Sequence, residues 1–496
     1  MPRETTRISY KGVVAIAFVL GLFMDILDTT IVNVALPTLG KEFHAPATTM
    51  SWVVTGYLLS LALWVPASGW LGDRFGTKRI FVFALIMFTV ASALCGAAWN
   101  IQSLIAFRVL QGVGGGMLTP VGTAMLYRAF PPEERARASS LLSMVTVTAP
   151  AIGPVLGGLL VSRASWRWIF YVNVPIGVFG VIFSVLYLRE HTERAAGGFD
   201  VWGFLLAGFG LAAVLYGLDE GPQRGWLSAV VVASLAIGVI ALVTLVVVEL
   251  RVAEPMLDFR LFKDRSFRTP NIVSFSTYCG LMGVLFLMPQ FLQGPRGLSA
   301  FQSGLTTFPQ ALGVMVMARV VGTKLYPMIG PRRLAIAGTL GTGIVTALFL
   351  LVGLHTNQWW IRLLMFNRGL FIGLIFIPIQ AAAFARVRPE STGRASALFQ
   401  VQRQVGAAVG VSVLATVLAQ RLRSLVPAGA TAKVAAEGFT SAFHDAVLVG
   451  SIMCVLGVIA AWFLSDEDAA PTMRRAPAKA RERSTTASDL ATAAGD

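Results

Sequence analysis

Charged residues are scarce in this sequence. Only 13% of its 496 residues are Asp, Glu, Lys or Arg, whereas a typical soluble protein has about 25%. Hydrophobic residues make up 55% of the chain, and the mean hydropathy is +0.71. Apolar runs of about 20 residues recur from residue 12 to residue 464, long enough to cross a bilayer. The composition therefore excludes an ordinary soluble protein and predicts an all-α polytopic membrane protein.

Residues that build metal and redox sites are also few. Cys95, Cys279 and Cys454 lie in separate apolar runs, and the four histidines form no metal or catalytic spacing. The glycine-rich run "QGVGGG" at 111–116 follows a helix start rather than a strand and lacks the lysine of a phosphate-binding loop. We therefore expect no cofactor, no metal and no enzymatic activity.

The basic residues are distributed unevenly across the predicted topology. Fourteen apolar runs place both termini on one side, and the segments on that side hold 27 of the 40 lysines and arginines. The opposite loops hold 9, and 4 lie within helices. By the positive-inside rule, both termini are predicted to be cytoplasmic, in the cytoplasmic (inner) membrane. Nucleic-acid binding, the other explanation of a pI near 10.4, would need a basic stripe with interleaved aromatics, and none is present.

The two halves of the chain contain similar stretches of sequence. "MLTPVGTAMLYRAFPPEERARASSLL" at 117–142 matches "IFIPIQAAAFARVRPESTGRASALF" at 375–399, and "FGTKRI" at 75–80 matches "IGPRRL" at 329–334. Repeats of this kind are typical of secondary transporters, whose sites lie where the repeats meet. We predict two six-helix halves flanking two inserted helices (6+2+6).

The predicted organisation has four parts. The tail is rich in Ala, Ser and Thr and carries both charge signs, so we expect disorder there, with attraction to the membrane surface as a minor alternative. The parts are the N-terminal half at 1–190, the linker with the extra helices at 191–268, the C-terminal half at 269–465 and the disordered cytoplasmic tail at 466–496.

The short loop after the second predicted helix carries a distinctive motif, "GWLGDRFGTKR" at 69–79. It resembles the signature loop of the major facilitator superfamily. Glycines there permit close packing and a tight turn, and an acid is suited to the positive end of a helix from the other half. The basic residues are also explained as topology anchors. We interpret the loop as a gate, formed by Gly69, Asp73, Arg74, Gly76 and Arg79.

A second motif, "GPVLGG" at 153–158, lies within the fifth predicted helix. It resembles the motif associated with antiporters of the superfamily, through Gly153, Pro154, Gly157 and Gly158. Small-residue helix packing explains the glycines equally well. The motif is reduced in the matching stretch of the second half, which favours exchange transport.

Wider similarity narrows the family. The stretches "LDTTIVNVALP" (27–37), "WRWIFYVNVPIG" (166–177) and "FLQGPRGLSAFQSGLTTFPQALG" (291–313) resemble the fourteen-helix drug:proton antiporter family. The resemblance implies the major facilitator fold with two extra helices, and proton-driven export of amphiphilic drugs.

Asp25 and Asp28 are the acids well inside a predicted helix. One ionised Asp at the centre of a membrane helix costs roughly 2.5–3.5 kcal/mol, so such residues usually serve a function. Arg108, in a run that resembles the family's intramembrane arginine, is the expected partner, and Arg368 is its rough counterpart in the second half. We predict that Asp28, Asp25 and Arg108 couple protons; a purely structural pairing with the arginine is the alternative.

The substrate cavity is expected to combine apolar surface with a few polar side chains. Some members of the family that export dications carry acids near the thirteenth helix. This sequence has none there, which argues against a strictly dicationic substrate. The candidates for the cavity are Asn33, Gln111, Gln290, Gln380, Gln400, Arg403 and Gln404.

Three functions are consistent with these residues. A proton-coupled antiporter that exports amphiphilic drugs or toxic small molecules by alternating access fits best. The alternatives are a same-fold exporter of a lipid or biosynthetic metabolite, possibly without proton coupling, and a non-transporting receptor. The expected partners are a small amphiphile, protons and the bilayer, with no nucleic acid; the sequence does not bear on accessory efflux proteins.

Overall fold

The structure is a computed structural model that describes residues 9–45, 47–131, 134–192, 198–252, 255–388, 391–427 and 429–473. Within these ranges the regular structure is helical. The helices are α1 Tyr10–Glu42, α2 Ala47–Phe75, α3 Thr77–Gly96, α4 Ile101–Ala129, α5 Arg135–Arg163, α6 Trp168–Tyr171, α7 Asn173–Tyr187, α8 Val201–Arg224, α9 Ala229–Arg251, α10 Arg265–Gln293, α11 Ala300–Thr307, α12 Pro309–Val320, α13 Tyr326–Ile329, α14 Pro331–Leu348, α15 Gln358–Ala383, α16 Thr392–Leu425, α17 Ala432–Trp462 and α18 Ala470–Met473.

Thirteen segments of the described chain are long and apolar enough to cross a membrane. Of the fourteen predicted helices, the one not among these segments is the fifth. It corresponds to α5, which has 29 residues, about 44 Å at 1.5 Å per residue. Two crossings are interrupted: α6 and α7 form one, and α11 to α13 form another around a π-helical turn at Val321–Leu325. The predicted all-α, multi-pass architecture is confirmed.

Two six-helix halves flank an inserted pair, as predicted. The N-terminal half comprises α1 to α7, the C-terminal half α10 to α17, and α8 and α9 lie between them in sequence. Helix α8 packs against both α2 and α16. The Ser412 hydroxyl donates to the Leu218 carbonyl at 2.6 Å, and the Trp226 indole donates to Thr416 Oγ1 at 2.9 Å. Helix α8 therefore covers one seam between the halves.

The halves meet at the end of the bundle where α1 starts and α2 ends, which we call the basic end. One hydrophobic cluster there contains residues of both halves, including Leu126, Phe130, Leu398 and Phe399. The Tyr127 and Phe384 rings stack across the seam with centroids 4.3 Å apart. Towards the other end, the clusters around Trp166 and around Phe443 each draw on one half alone. The structure is thus closed at the basic end.

Residues 466–473 differ from the predicted disordered tail. Asp466 accepts a hydrogen bond from the Arg332 amide at 3.0 Å, and Asp468 pairs with Arg386 at 3.2 Å. In α18, Thr472 is 1% exposed and its hydroxyl lies 2.6 Å from that of Tyr326. The polar composition indicated a solvated tail, but its acids match basic groups at the basic end. Residues 474–496 lie outside the described residues.

Candidate functional site

The buried ion pair of the N-terminal half joins α1 to α4. The Arg108 guanidinium donates to Asp28 Oδ2, and both residues are 0% exposed. Arg108 also donates to the Val53 carbonyl at 2.9 Å and lies 4.2 Å from the centre of the Tyr57 ring. A buried pair holds its charges only when further hydrogen bonds satisfy them.

Two amides complete the partners of Asp28. The Gln111 amide donates to Asp28 Oδ1 at 2.9 Å and accepts from Arg108 at 2.7 Å. Asn173, the first residue of α7, donates to the same carboxylate oxygen at 3.2 Å and to Ser92 Oγ at 3.2 Å. The carboxylate is thus held by groups from two other crossings, α4 and α7, and any shift of either helix relative to α1 changes its surroundings.

Asp25 has different partners. The Tyr57 hydroxyl donates to its Oδ1 at 2.5 Å, and Thr119 donates to Oδ2 at 3.0 Å. Asp25 is 6% exposed, and both of these donors are neutral. The two acids lie one turn apart, so their negative charges repel. One acid is thus paired with a cation and the other with hydroxyls.

Close helix packing makes this geometry possible. A Cβ atom at Gly115 would lie 2.6 Å from the Tyr57 hydroxyl and 3.2 Å from Asp25 Oδ1. Only glycine leaves room there for the tyrosine to reach the carboxylate. The run at 111–116 that superficially resembles a nucleotide loop is therefore the packing face of α4.

The residues predicted to line the substrate cavity have different surroundings in the structure. Gln111 belongs to the group of side chains around the two acids. We call this group the carboxylate cluster, and it consists of Asp25, Asp28, Tyr57, Arg108, Gln111, Thr119 and Asn173. The side chain of Asn33 lies outside the described residues. Gln380 is 2% exposed on α15, and its Oε1 has no hydrogen-bond partner in the described structure. Arg403 is 8% exposed and lies 4.6 Å from the centre of the Tyr278 ring. Three others are half-buried, Gln290 on α10 and Gln400 and Gln404 on α16.

Arg368 occupies the corresponding position of the C-terminal half. It is 0% exposed and donates to Gln310 Oε1 at 2.7 Å, Thr346 Oγ1 at 3.3 Å and the Leu281 carbonyl at 3.3 Å. All three acceptors are neutral. Its charge is therefore solvated by dipoles rather than by a carboxylate.

The predicted gate loop lies at the seam between the halves. Asp73 is 4% exposed and accepts from Arg128 at 2.8 Å. A Cβ atom at Gly393 would lie 3.0 Å from both Asp73 carboxylate oxygens, and one at Gly69 would lie 2.9 Å from the Gly393 carbonyl oxygen. Gly393 is the second residue of α16, so the carboxylate lies at the positive end of a helix from the other half.

The remaining gate residues lie on the outer side of the loop. Gly76 has φ 102°, which strains any residue with a side chain. Arg74 and Arg79 are exposed, and Arg79 lies 3.6 Å from Glu190, which also accepts from the Lys78 amide at 3.0 Å. Their surroundings fit an anchoring position, with the seam contact made by Asp73.

The glycine motif of α5 lies between the halves. A Cβ atom at Gly153 would lie 2.2 Å from Thr30 Oγ1 of α1, and one at Gly158 would lie 3.9 Å from the Phe301 amide of α11. Gly157 is buried, and the side chain of Pro154 is outside the described residues. Helix α5 therefore packs closely on the helix that carries both carboxylates.

A sequence profile places this architecture in a family. The profile of the Major Facilitator Superfamily matches residues 18–411, most of the chain. The chain belongs to the Major Facilitator Superfamily. As a member of this superfamily it is a multi-pass membrane transporter, not a catalytic enzyme, and it binds small-molecule substrates within the membrane.

Individual members of the superfamily align over most of the chain. The "Uncharacterized MFS-type transporter YhcA" of Bacillus subtilis is 34% identical over 406 residues, covering 82% of this chain and 76% of the relative. The "Multidrug resistance protein B homolog" of Mycobacterium tuberculosis (strain ATCC 25618 / H37Rv) is 34% identical over 407 residues, covering 81% and 75%. The structure of the human organic anion transporter MFSD10 has a TM-score of 0.64 at 14% identity, covering 91% of this chain and 99% of that one, and shows the shared fold.

Three residues of this facilitator's carboxylate cluster escaped the sequence analysis: Tyr57, Thr119 and Asn173. They are neutral and lie on helices far apart in sequence from the acids they contact. A weak signal existed for Asn173, because it lies within the family-like stretch at 166–177. For Tyr57 and Thr119 the pattern gave no signal, since both residue types are common in membrane helices.

Proposed function

We propose that this facilitator is a proton-coupled antiporter that exports amphiphilic drugs or toxic small molecules by alternating access. The observation that carries the proposal is the pair of buried acids on one turn of α1, one bound to Arg108 and the other to hydroxyls. Two carboxylates in a membrane helix are costly, and such residues commonly mark the path of a proton or a substrate. The multidrug-resistance name of the mycobacterial relative supports the substrate class.

The exchange would follow from helix movement. In the closed arrangement, Arg108, Gln111 and Asn173 stabilise an ionised Asp28. These groups would separate if α1 shifts relative to α4 and α7 when the basic end opens. Burial without a cation then favours the neutral acid. A polar or cationic substrate group competing for the same carboxylate would then link proton entry to substrate exit. Asp25 would tune this exchange through charge repulsion.

The substrate class is limited by the second half. Arg368 and Arg403 are buried, and their described contacts include no carboxylate. Permanent positive charge of this kind repels a second substrate cation. We therefore expect neutral or singly charged amphiphiles rather than dications.

We further propose that the basic end is cytoplasmic, in the cytoplasmic membrane, because of the 27-to-9 division of basic residues. In a variant without native cysteines, Arg260→Cys should resist a membrane-impermeant thiol reagent added to intact cells and react after permeabilisation. A cysteine at an opposite loop, Arg296→Cys, provides the converse control. Strong labelling of position 260 from outside would reverse the orientation.

The function is tested in proteoliposomes with an imposed pH gradient and a fluorescent amphiphile. The purified wild-type protein should drive gradient-dependent efflux, Asp28→Asn should abolish it, and Asp25→Asn should reduce it partially or for some substrates. Asp445→Asn is the matched control. This acid pairs with Arg421 at a distance of 2.7 Å, and it is not part of the carboxylate cluster. Full pH-dependent antiport by a folded Asp28→Asn protein would contradict the mechanism, and flux that ignores the gradient would favour the uncoupled exporter.

A further inference from the structure

A cavity of about 430 Å³ lies at the basic end, apart from the carboxylate cluster and the gate. It is lined by Arg265, Arg268, Thr269 and Ile272 of α10, and by Ala460 and Phe463 at the end of α17. This volume lies within the usual range for small-molecule sites, about 300–1,000 Å³. The cavity is thus large enough for a polar headgroup.

The charge of the cavity is positive. Arg265 donates to the Phe463 carbonyl at 3.2 Å, which fixes one guanidinium across the cavity. Arg268 is exposed. Its amide donates to the Asp264 carbonyl at 2.9 Å, whereas its guanidinium has no hydrogen bond or ion pair with the described residues. Two guanidinium groups on adjacent turns match the oxygens of a phosphate, which arginine binds through paired hydrogen bonds.

Nearby acids are engaged elsewhere. Asp264 accepts from the Ser266 amide at 2.8 Å as the N-cap of α10, so the first turn of the helix is already capped. Asp466 accepts from the Arg332 amide and Asp468 pairs with Arg386. Glu467 is exposed and does not line the cavity. The positive charge is therefore available to an external anion.

The apolar surroundings identify the source of that anion. Ile272 is 51% exposed and Phe463 is 60% exposed, and Trp462 beside them is 60% exposed. These side chains lie on the outer surface of membrane-spanning helices, where acyl chains contact the protein. Basic pockets between such helices at a membrane boundary suit anionic lipid headgroups. A soluble phosphate would gain nothing from the apolar wall.

We propose that this cavity binds the phosphate headgroup of an anionic phospholipid, with Arg265 and Arg268 as its ligands and Ile272 and Phe463 against its acyl chains. The bound lipid bridges the start of α10 and the end of α17. It thereby steadies the segment that leads from α17 to Asp466 and Asp468, and so to the basic end of the C-terminal half.

The test is native mass spectrometry of the full-length protein with phosphatidylglycerol and phosphatidylcholine of identical acyl chains. We expect the wild type to retain phosphatidylglycerol preferentially, and Arg268→Gln to weaken that binding at least about tenfold, as loss of a charge-assisted hydrogen bond predicts. Lys263→Gln is the matched control, because Lys263 is exposed nearby but does not line the cavity. Arg268→Lys, which keeps the charge without the planar fork, should give an intermediate loss.

Several outcomes would overturn the proposal. Equal retention of both lipids by the wild-type protein would contradict the proposal. This comparison needs no variant, so it can be made even if Arg268→Gln does not fold. An equal loss in Lys263→Gln would indicate general surface charge. If inorganic phosphate alone raises the melting temperature as much as phosphatidylglycerol does, and Arg268→Gln abolishes both effects, the site binds a soluble anion instead of a lipid.

Discussion

The two halves hold their buried arginines in opposite ways. Arg108 and Arg368 are both 0% exposed and lie on equivalent helices, α4 and α15. Arg108 pairs with Asp28, and Asp25 lies one turn away; Arg368 has Gln310, Thr346 and a carbonyl. Carboxylates change charge on protonation and amides do not. The described contacts of Arg108 therefore include a group whose charge can change, whereas those of Arg368 do not.

The largest contrast is expected from removing each arginine. Arg108→Gln leaves Asp28 buried without its cation, which costs about 3–5 kcal/mol of stability for a broken buried pair. Arg368→Gln leaves no unpaired charge behind, because the acceptors of Arg368 are neutral. It should lower the free energy of unfolding by about 1–2 kcal/mol through lost hydrogen bonds. The unfolding midpoint in mixed micelles checks both variants.

The pH dependence separates the two variants further. Acidification should recover part of the stability lost in Arg108→Gln, because protonation removes the unpaired charge of Asp28. Arg368→Gln should show no such recovery, since its former partners do not titrate. Equal losses with equal pH dependence would refute the division between the halves.

The next effect comes from giving the C-terminal half a carboxylate. Gln310→Glu places an acid 2.7 Å from the Arg368 guanidinium, and a charge-assisted bond is roughly twice as strong as a neutral one. We expect a gain of about 1 kcal/mol at neutral pH that is lost as the pH falls and the glutamate protonates. Melting temperatures at pH 7.5 and pH 4.5, values chosen about three units above and near the ordinary glutamate pKa, measure it.

The same substitution in the N-terminal half serves as the matched control. Gln111→Glu removes the donor to Asp28 and adds a like charge beside it, so it should destabilise. Opposite signs for the two glutamates would sharpen the comparison between the halves. Stabilisation by both would mean that Arg108 also lacks negative charge.

The sequence predicted those site residues that carry a charge inside an apolar helix. Asp25, Asp28 and Arg108 were identifiable because their burial is costly, and the lengths of the apolar runs predicted the crossings. Tyr57 and Thr119 were not identifiable, because their contacts with Asp25 exist only when separate helices are brought together. The segment at 466–473 was misjudged since composition reports solvation, whereas Asp466 and Asp468 bind specific groups on other elements.

The ion pairs that hold the basic end also differ between the halves. Asp73→Asn tests the more buried pair, Asp73–Arg128. The Asp73–Arg128 pair has side chains only 6% and 10% exposed, and its acid lies at the start of α16. Loss of about 1–2 kcal/mol there shifts the closed-to-open ratio about 5- to 30-fold. Transport should fall while substrate binding persists.

A cysteine reporter measures this opening. Ser396 is 2% exposed on α16, between Ala395 and Ala397 of the cluster shared by both halves. In a background without native cysteines, Ser396→Cys should be alkylated faster when Asp73→Asn is added. An unchanged rate together with unchanged efflux would leave the loop as a topology anchor alone.

The smallest effect is expected at the matching position of the C-terminal half. There Arg386 pairs with Asp468 at 3.2 Å, with side chains 47% and 24% exposed, and exposed pairs contribute about 0–1 kcal/mol because water and salt screen them. Asp468→Asn should therefore raise the alkylation rate of the Ser396→Cys reporter less than about fivefold, with the difference vanishing at high salt. Asp466 and the Tyr326–Thr472 contact would still hold the segment in place. Glu467→Gln, an exposed acid next to Asp468, is the control and should leave the rate unchanged. If Asp468→Asn accelerates alkylation as much as Asp73→Asn, the segment beyond α17 closes the basic end as firmly as the loop does, and the asymmetry is confined to the buried arginines.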